Sequence, residues 1–146
     1  MRLSYLTRGN SAPNGKPRVL VICHPEEYGT LLRQTADDFF VTQNCAVWFP
    51  EDRSIPDAAA FELTQMQLLA FAVSRRLLTE CADAVRRLLE NALSHNIPVL
   101  PILTEHGLSL QFSEVFGALQ YLDRVTIDPT ALPYPERRPS KASVRR

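Results

Sequence analysis

Four short apolar runs, separated by amphipathic stretches with helical spacing, constrain this chain more than any other feature. Residues 18–23, 45–49, 68–73 and 97–103 are almost wholly apolar and five to seven residues long, as suits strands buried on both faces. Between the first two, Tyr28, Leu31, Leu32, Ala36, Phe39 and Phe40 recur three or four apart, which predicts a helix ending near Gln43 and Asn44. Between the last two, Val85, Leu88, Leu89 and Ala92 share one side of a helix expected over residues 79–94, with Asp83, Arg86 and Glu90 on the other. A short helix is expected over 58–65, a loop or short helix over 107–116, and a fifth strand over 119–127. Parallel strands need crossovers, and helices must cover both sheet faces. The chain is therefore expected to be an α/β flavodoxin-like three-layer sandwich with a five-stranded parallel sheet.

The 146 residues, 45% hydrophobic and 22% charged, suffice for one domain with a real core. Residues 1–17 hold a turn-rich run from Arg8 to Pro17 and are expected to be a mobile leader; residues 18–127 form the domain. Residues 128–146, rich in proline and arginine, are expected to be a linker or tail towards a further C-terminal domain. Net charge is zero and, except in the C-terminal tail, the basic residues are interspersed with acids, so nucleic acid is not an expected partner of the folded part. No run reaches the ~20 apolar residues of a membrane span, and the first residues lack the apolar core of a signal peptide. Cys23, Cys45 and Cys81 stand singly, as reduced thiols do, and a cytoplasmic protein without a membrane partner is expected.

Residues able to carry chemistry gather where strands end. His24, Glu26 and Glu27 follow the first core strand, where a nucleotide lies across an open sheet; either glutamate would orient a ribose, or simply favour a helix N-terminus. Trp48 and Phe49 end the second core strand, where an aromatic face can stack on a planar base, although strand alternation buries one of them. Ser74 ends the third and offers a hydroxyl to a phosphate or ribose. Glu90 lies on the polar side of the helix before the apolar strand 97–103, and its location is expected near the carboxyl rim of the sheet. Its plainer role is an ion pair with Arg86 or Arg87, worth about 0.2–0.5 kcal/mol. His95 and His106 lack partners at ligand spacing, so no metal is expected. A phosphoacceptor receiver domain would need an aspartate at the end of the third strand, where Val73-Ser74 stands, and a flavodoxin would need a phosphate loop where the acidic turn His24–Glu27 lies.

The order of these elements resembles a TIR (Toll/interleukin-1 receptor) domain of bacterial type. Asn44-Cys45-Ala46-Val47-Trp48-Phe49, Met66-Gln67-Leu68, Ile97-Pro98-Val99-Leu100-Pro101-Ile102 and Leu119-Gln120-Tyr121-Leu122-Asp123 carry the likeness, which spans about residues 17–127. The resemblance implies the TIR fold and one of two activities. One is NAD consumption, in which the nicotinamide–ribose bond is cleaved to nicotinamide and ADP-ribose or a cyclic product upon self-association, in antiphage defence; NAD is then a substrate, with no tightly bound cofactor. The other is a non-catalytic module that binds further TIR domains, as a homo-oligomer or filament, or binds a nucleotide without hydrolysing it. In the enzymes a glutamate on the helix after the third strand is catalytic, and Glu90 matches it by distance from the following strand. A positively charged nicotinamide leaves without an acid, so one anion can stabilise the oxocarbenium-like ribose and orient its hydroxyls. Many TIR domains have Trp four residues before that glutamate and Leu after it, where this chain has Arg86 and Asn91; the loop commonly reading R-D-x-x-P-G is here Asp52-Arg53-Ser54-Ile55-Pro56, with the charges reversed.

Overall fold

The computed structural model describes residues 2–57 and 65–125. Six strands form one sheet: β1 (Leu3–Thr7), β2 (Arg18–Ile22), β3 (Ala46–Pro50), β4 (Leu68–Val73), β5 (Val99–Leu103) and β6 (Leu122–Asp123), in the order β1-β3-β2-β4-β5-β6. The five strands from β2 onward pair in parallel, and β1 runs antiparallel to β3. The molecule is thus α/β with a mostly parallel six-stranded sheet, one strand more than the five expected.

The extra strand corrects the expectation that residues 1–17 are a mobile leader. Without it β3 would be an open edge, a row of unpaired backbone groups beside an indole. Residues Leu3 to Thr7 pair with Pro50 to Ala46, and Tyr5 packs its ring 5.1 Å from that of Trp48. Arg8 then donates from its guanidinium to the carbonyls of Phe40 and Gln43, satisfying acceptors at the C-terminus of α1 (Arg33–Thr42). One strand pairing and one helix cap tie down residues 3–8.

Side chains alternate between two cores, as strands covered on both faces require. Leu20, Ile22, Leu69, Phe71, Val73, Val99 and Leu103 face α2 (Arg75–Glu80), α3 (Ala82–Ser94) and α4 (Ser109–Phe116). Val19, Val21, Cys23, Leu68, Ala70, Ala72, Leu100 and Ile102 face α1 and the π-turn Tyr28–Leu32 that leads into it. Each fully buried Leu or Phe contributes about 1.5–3 kcal/mol of transfer free energy, so the sheet is a rigid base for whatever its loops carry. Pro98 and Pro101 lack a backbone donor, yet the sheet accommodates both: Pro98 precedes β5 and its carbonyl accepts from Leu69 N–H, while β6 pairs only with Ile102 and Leu103, beyond Pro101.

The helix expected over residues 79–94 is instead two. Cys81, at φ −124° and ψ 19°, separates α2 from α3. The apolar positions Leu77, Leu78, Val85, Leu88 and Leu89 stay on the same core across the break, which is why periodicity alone does not see it. The helix expected over 58–65, apart from Gln65, the end of the fifth strand at 126–127 and the tail 128–146 lie outside the described residues. No helix among the described residues is long and apolar enough to cross a membrane.

Candidate functional site

Strand β2 is followed in chain order by β3 on one side and, later, β4 on the other, so the order reverses between β2 and β4. In open parallel sheets the crevice at such a point, outside the carboxyl ends of the strands, is where ligands bind. The turn after β2 and the start of α2 after β4 meet there, and between them they supply most of the polar side chains expected to carry function.

His24 is the centre of this meeting. It leaves β2 two residues after Ile22 and is only 4% exposed. Its Nδ1 accepts the Glu26 N–H at 3.0 Å, and its Nε2 lies 2.8 Å from Oε1 of Glu80, the last residue of α2. Arg76, one turn before Glu80, donates to it from Nε at 3.0 Å and Nη2 at 3.2 Å, and reaches across to Glu26 Oε1 at 2.7 Å. The Arg76 guanidinium and then the His24 N–H hold the Glu80 carboxyl below its ordinary range, so it is ionised. Beside this network Ser74 is buried. Its hydroxyl donates to Glu27 and accepts the Leu77 N–H at 3.2 Å, capping α2. Of the residues expected to bind a nucleotide, His24, Glu26, Glu27 and Ser74 therefore come together, and the Ser74 hydroxyl is already engaged as a helix cap.

The network borders an open cleft of about 460 Å³ lined by Pro25, Ile55, Thr79, Glu80, Asp83 and Arg87, with Cys81 at its floor between the helices. That volume lies within the range of small-molecule sites. Ile55 comes from the loop after β3, which is held in place by Tyr28 O–H donating to the Ser54 carbonyl at 2.9 Å and by Asp52 accepting from Ser54 N–H and O–H at 3.1 and 2.7 Å. Glu80 and Asp83 make one side anionic. Arg87 is exposed and makes no hydrogen bond or ion pair among the described residues, which leaves a cation open to a phosphate or carboxylate. The Cys81 thiol is held above its ordinary range, first by burial and then by Glu80, so it is not an activated nucleophile. No group of three or more His, Cys, Asp or Glu side chains among the described residues is arranged to hold a metal ion.

Trp48, Phe49 and Glu90 are elsewhere. Trp48 and Phe49 are half-buried on opposite faces of the sheet: Trp48 is covered by Tyr5 with the Arg18 guanidinium 5.9 Å from its ring, and Phe49 packs on the α1 side. Neither lines the cleft, and the Tyr5 ring of β1 covers the Trp48 indole expected to meet a base. Glu90 corrects the expected placement at the carboxyl rim. It lies eight residues into α3, about 12 Å along the axis from Ala82 and towards the amino ends of the strands. It is one turn beyond Arg87, the last residue of α3 to line the cleft. The plainer ion pair is not formed either: Arg86 bonds Asp83 at 3.2 Å and the Glu114 carbonyl at 2.9 Å, and Glu90 is exposed with no partner among the described residues.

Glu80, Asp83 and Arg87 are site residues that the sequence alone does not single out, while Arg76, which follows Ser74 by two residues, is a charge expected near a phosphate or ribose bound there. One signal was available, the Arg76/Glu80 pair four apart directly after the polar exit of β4, but the same spacing relates Arg86 to Glu90. Comparison of the chain with protein-family models, curated proteins and solved structures finds no significant match.

Proposed function

We propose that this chain is a TIR-type domain with a flavodoxin-like fold that takes NAD, or a closely related nucleotide, at the rim between β2 and β4 and cleaves its nicotinamide–ribose bond, with Glu80 rather than Glu90 as the working carboxylate. One observation carries this proposal: an ionised glutamate on the segment after β4, held by His24 and Arg76, borders a cleft at the point where the strand order reverses. The strand order β3-β2-β4-β5-β6 of the parallel part, which is the 2-1-3-4-5 order of flavodoxin-like sheets, supports the fold half of the proposal.

The chemistry asks little of the protein. The C1′–N bond breaks with its electron pair going to the nicotinamide nitrogen, which neutralises the pyridinium without a proton. Glu80 faces the positive charge that develops on the ribose and stabilises it as a fixed, already ionised group. Water then adds its oxygen to C1′ and gives its proton to solvent or to a carboxylate, yielding ADP-ribose; an adenine nitrogen in place of water yields the cyclic product. Arg87 would hold the pyrophosphate. Turnover that appears on self-association, and a place in antiphage signalling in the cytoplasm, follow from the TIR resemblance and form part of the same proposal.

One observation favours the second reading, a TIR interaction module without catalysis: Glu26, Glu27 and Glu80 each already have a hydrogen-bond partner within the protein. NAD turnover at high protein concentration, with and without a crowding agent, separates the two. The enzyme reading expects nicotinamide release that falls on the order of 10²-fold or more in Glu80→Gln. No release under any assembly condition supports the module.

A further inference from the structure

We infer that His24 is a positioning residue that aims Glu80 at the cleft, its ring locked in one tautomer by the turn that follows β2. The inference rests on the proposed role of Glu80 and adds the device that holds it.

The lock is built from the backbone. His24 follows β2, a strand flanked by β3 and β4, by two residues, and its carbonyl accepts the Glu27 N–H at 2.8 Å, which holds the turn against the sheet. Because Nδ1 accepts the Glu26 N–H at 3.0 Å, Nδ1 carries no proton, and the ring proton is on Nε2. That proton points to Glu80 Oε1 at 2.8 Å. Arg76 occupies a second site on Oε1 and one on Oε2. A carboxylate has about four acceptor sites, so three are filled and one, on Oε2, is left for a ligand in the cleft that Glu80 lines.

The same bonds exclude His24 from proton transfer. Its lone pair is used by Glu26 N–H and its proton by Glu80, and the buried ring is not part of the cleft wall, which is formed by its neighbour Pro25. It touches the proposed substrate only through Glu80. The charged and titratable groups around it are Cys23, Glu26 and Glu27 from its own turn and Arg76 and Glu80 from α2. Orientation of a reacting group is worth large factors in rate, and a half-exposed glutamate at a helix end would otherwise sample several rotamers.

Two measurements test this on the full chain. The first is NMR of the histidine ring. The expected result is a proton on Nε2 with slowed solvent exchange in the wild type, and loss of that slowing in Glu80→Ala; a proton on Nδ1, or an Nε2 proton unaffected by Glu80→Ala, overturns the inference. The second is steady-state NAD turnover of His24→Phe, which keeps ring volume but has no donor, and His24→Gln, which restores an N–H donor. A fall in kcat of about 10-fold in His24→Phe with KM within about two-fold, and recovery of most of it in His24→Gln, is expected. Equal losses in both folded variants, or a change confined to KM, overturn it. If the wild type shows no turnover, the proposed function fails, and the ring measurement still decides whether His24 positions Glu80.

Discussion

The two halves of the β4–β5 crossover each carry a glutamate, and they live under different conditions. Glu80 ends the short helix α2 at the carboxyl rim, bonded to a buried histidine and an arginine and bordering a cleft. Glu90 lies two turns into α3, exposed and without a partner among the described residues. Both follow an arginine by four residues, and both occupy polar positions of a crossover whose other side is core. The difference comes from what the sheet places opposite: the turn after β2 faces α2, and among the described residues nothing comparable bonds to Glu90. Sequence spacing describes a residue's own helix, whereas its chemistry depends on the neighbouring strand's exit.

The largest effect is expected in the framework both glutamates share. Leu88 is fully buried on the core face of α3, and Leu88→Ala should cost about 2–5 kcal/mol in denaturant unfolding, with turnover per folded molecule unchanged. Glu80→Gln should lower nicotinamide release by about 2.7–4 kcal/mol of barrier, which is a factor of 10² to 10³. Ser74→Ala removes the cap of α2 and a partner of Glu27, and a loss of about 1 kcal/mol is expected in the same unfolding measurement. The Glu80 bridge should also leave a pH signature. Its folded carboxyl lies below the ordinary 4.5 because Arg76 and His24 bond it. Its contribution is therefore complete above that value and is lost as pH falls through the folded one. The stability difference between wild type and Glu80→Gln should shrink in acid, and a difference independent of pH would show that the bridge is not formed. Glu90→Gln should be the smallest change, within about 0.5 kcal/mol in stability.

The parallel sheet was legible because buried strands are continuous apolar runs: Arg18–Ile22, Ala46–Pro50, Leu68–Val73 and Val99–Leu103 all fall within or one residue beyond the predicted segments. Leu3–Thr7 was not, since Leu-Ser-Tyr-Leu-Thr is short and its partner lies some forty residues on, at Ala46–Pro50; its pairing is a tertiary fact. The site was legible in its first half. A polar turn after a core strand points to the rim, and His24, Glu26, Glu27 and Ser74 do meet there. The second half was hidden by the break at Cys81, because heptad spacing from Leu78 to Val85 keeps the apolar face continuous across it. A helix read as unbroken makes Glu80 and Glu90 equivalent. Trp48 was misplaced for a related reason, as the strand that covers it had no signature strong enough to compete for the indole.

A titration of the ¹⁵N-labelled chain with NAD, followed by amide shifts, tests the central claim most directly. Perturbations clustered at residues 24–27, 79–84 and Arg87, weakened in Glu80→Gln and unchanged in Glu90→Gln, are the result expected of a ligand at the β2/β4 rim. Perturbations centred on residues 90–96 instead, or none at saturating NAD, would contradict it.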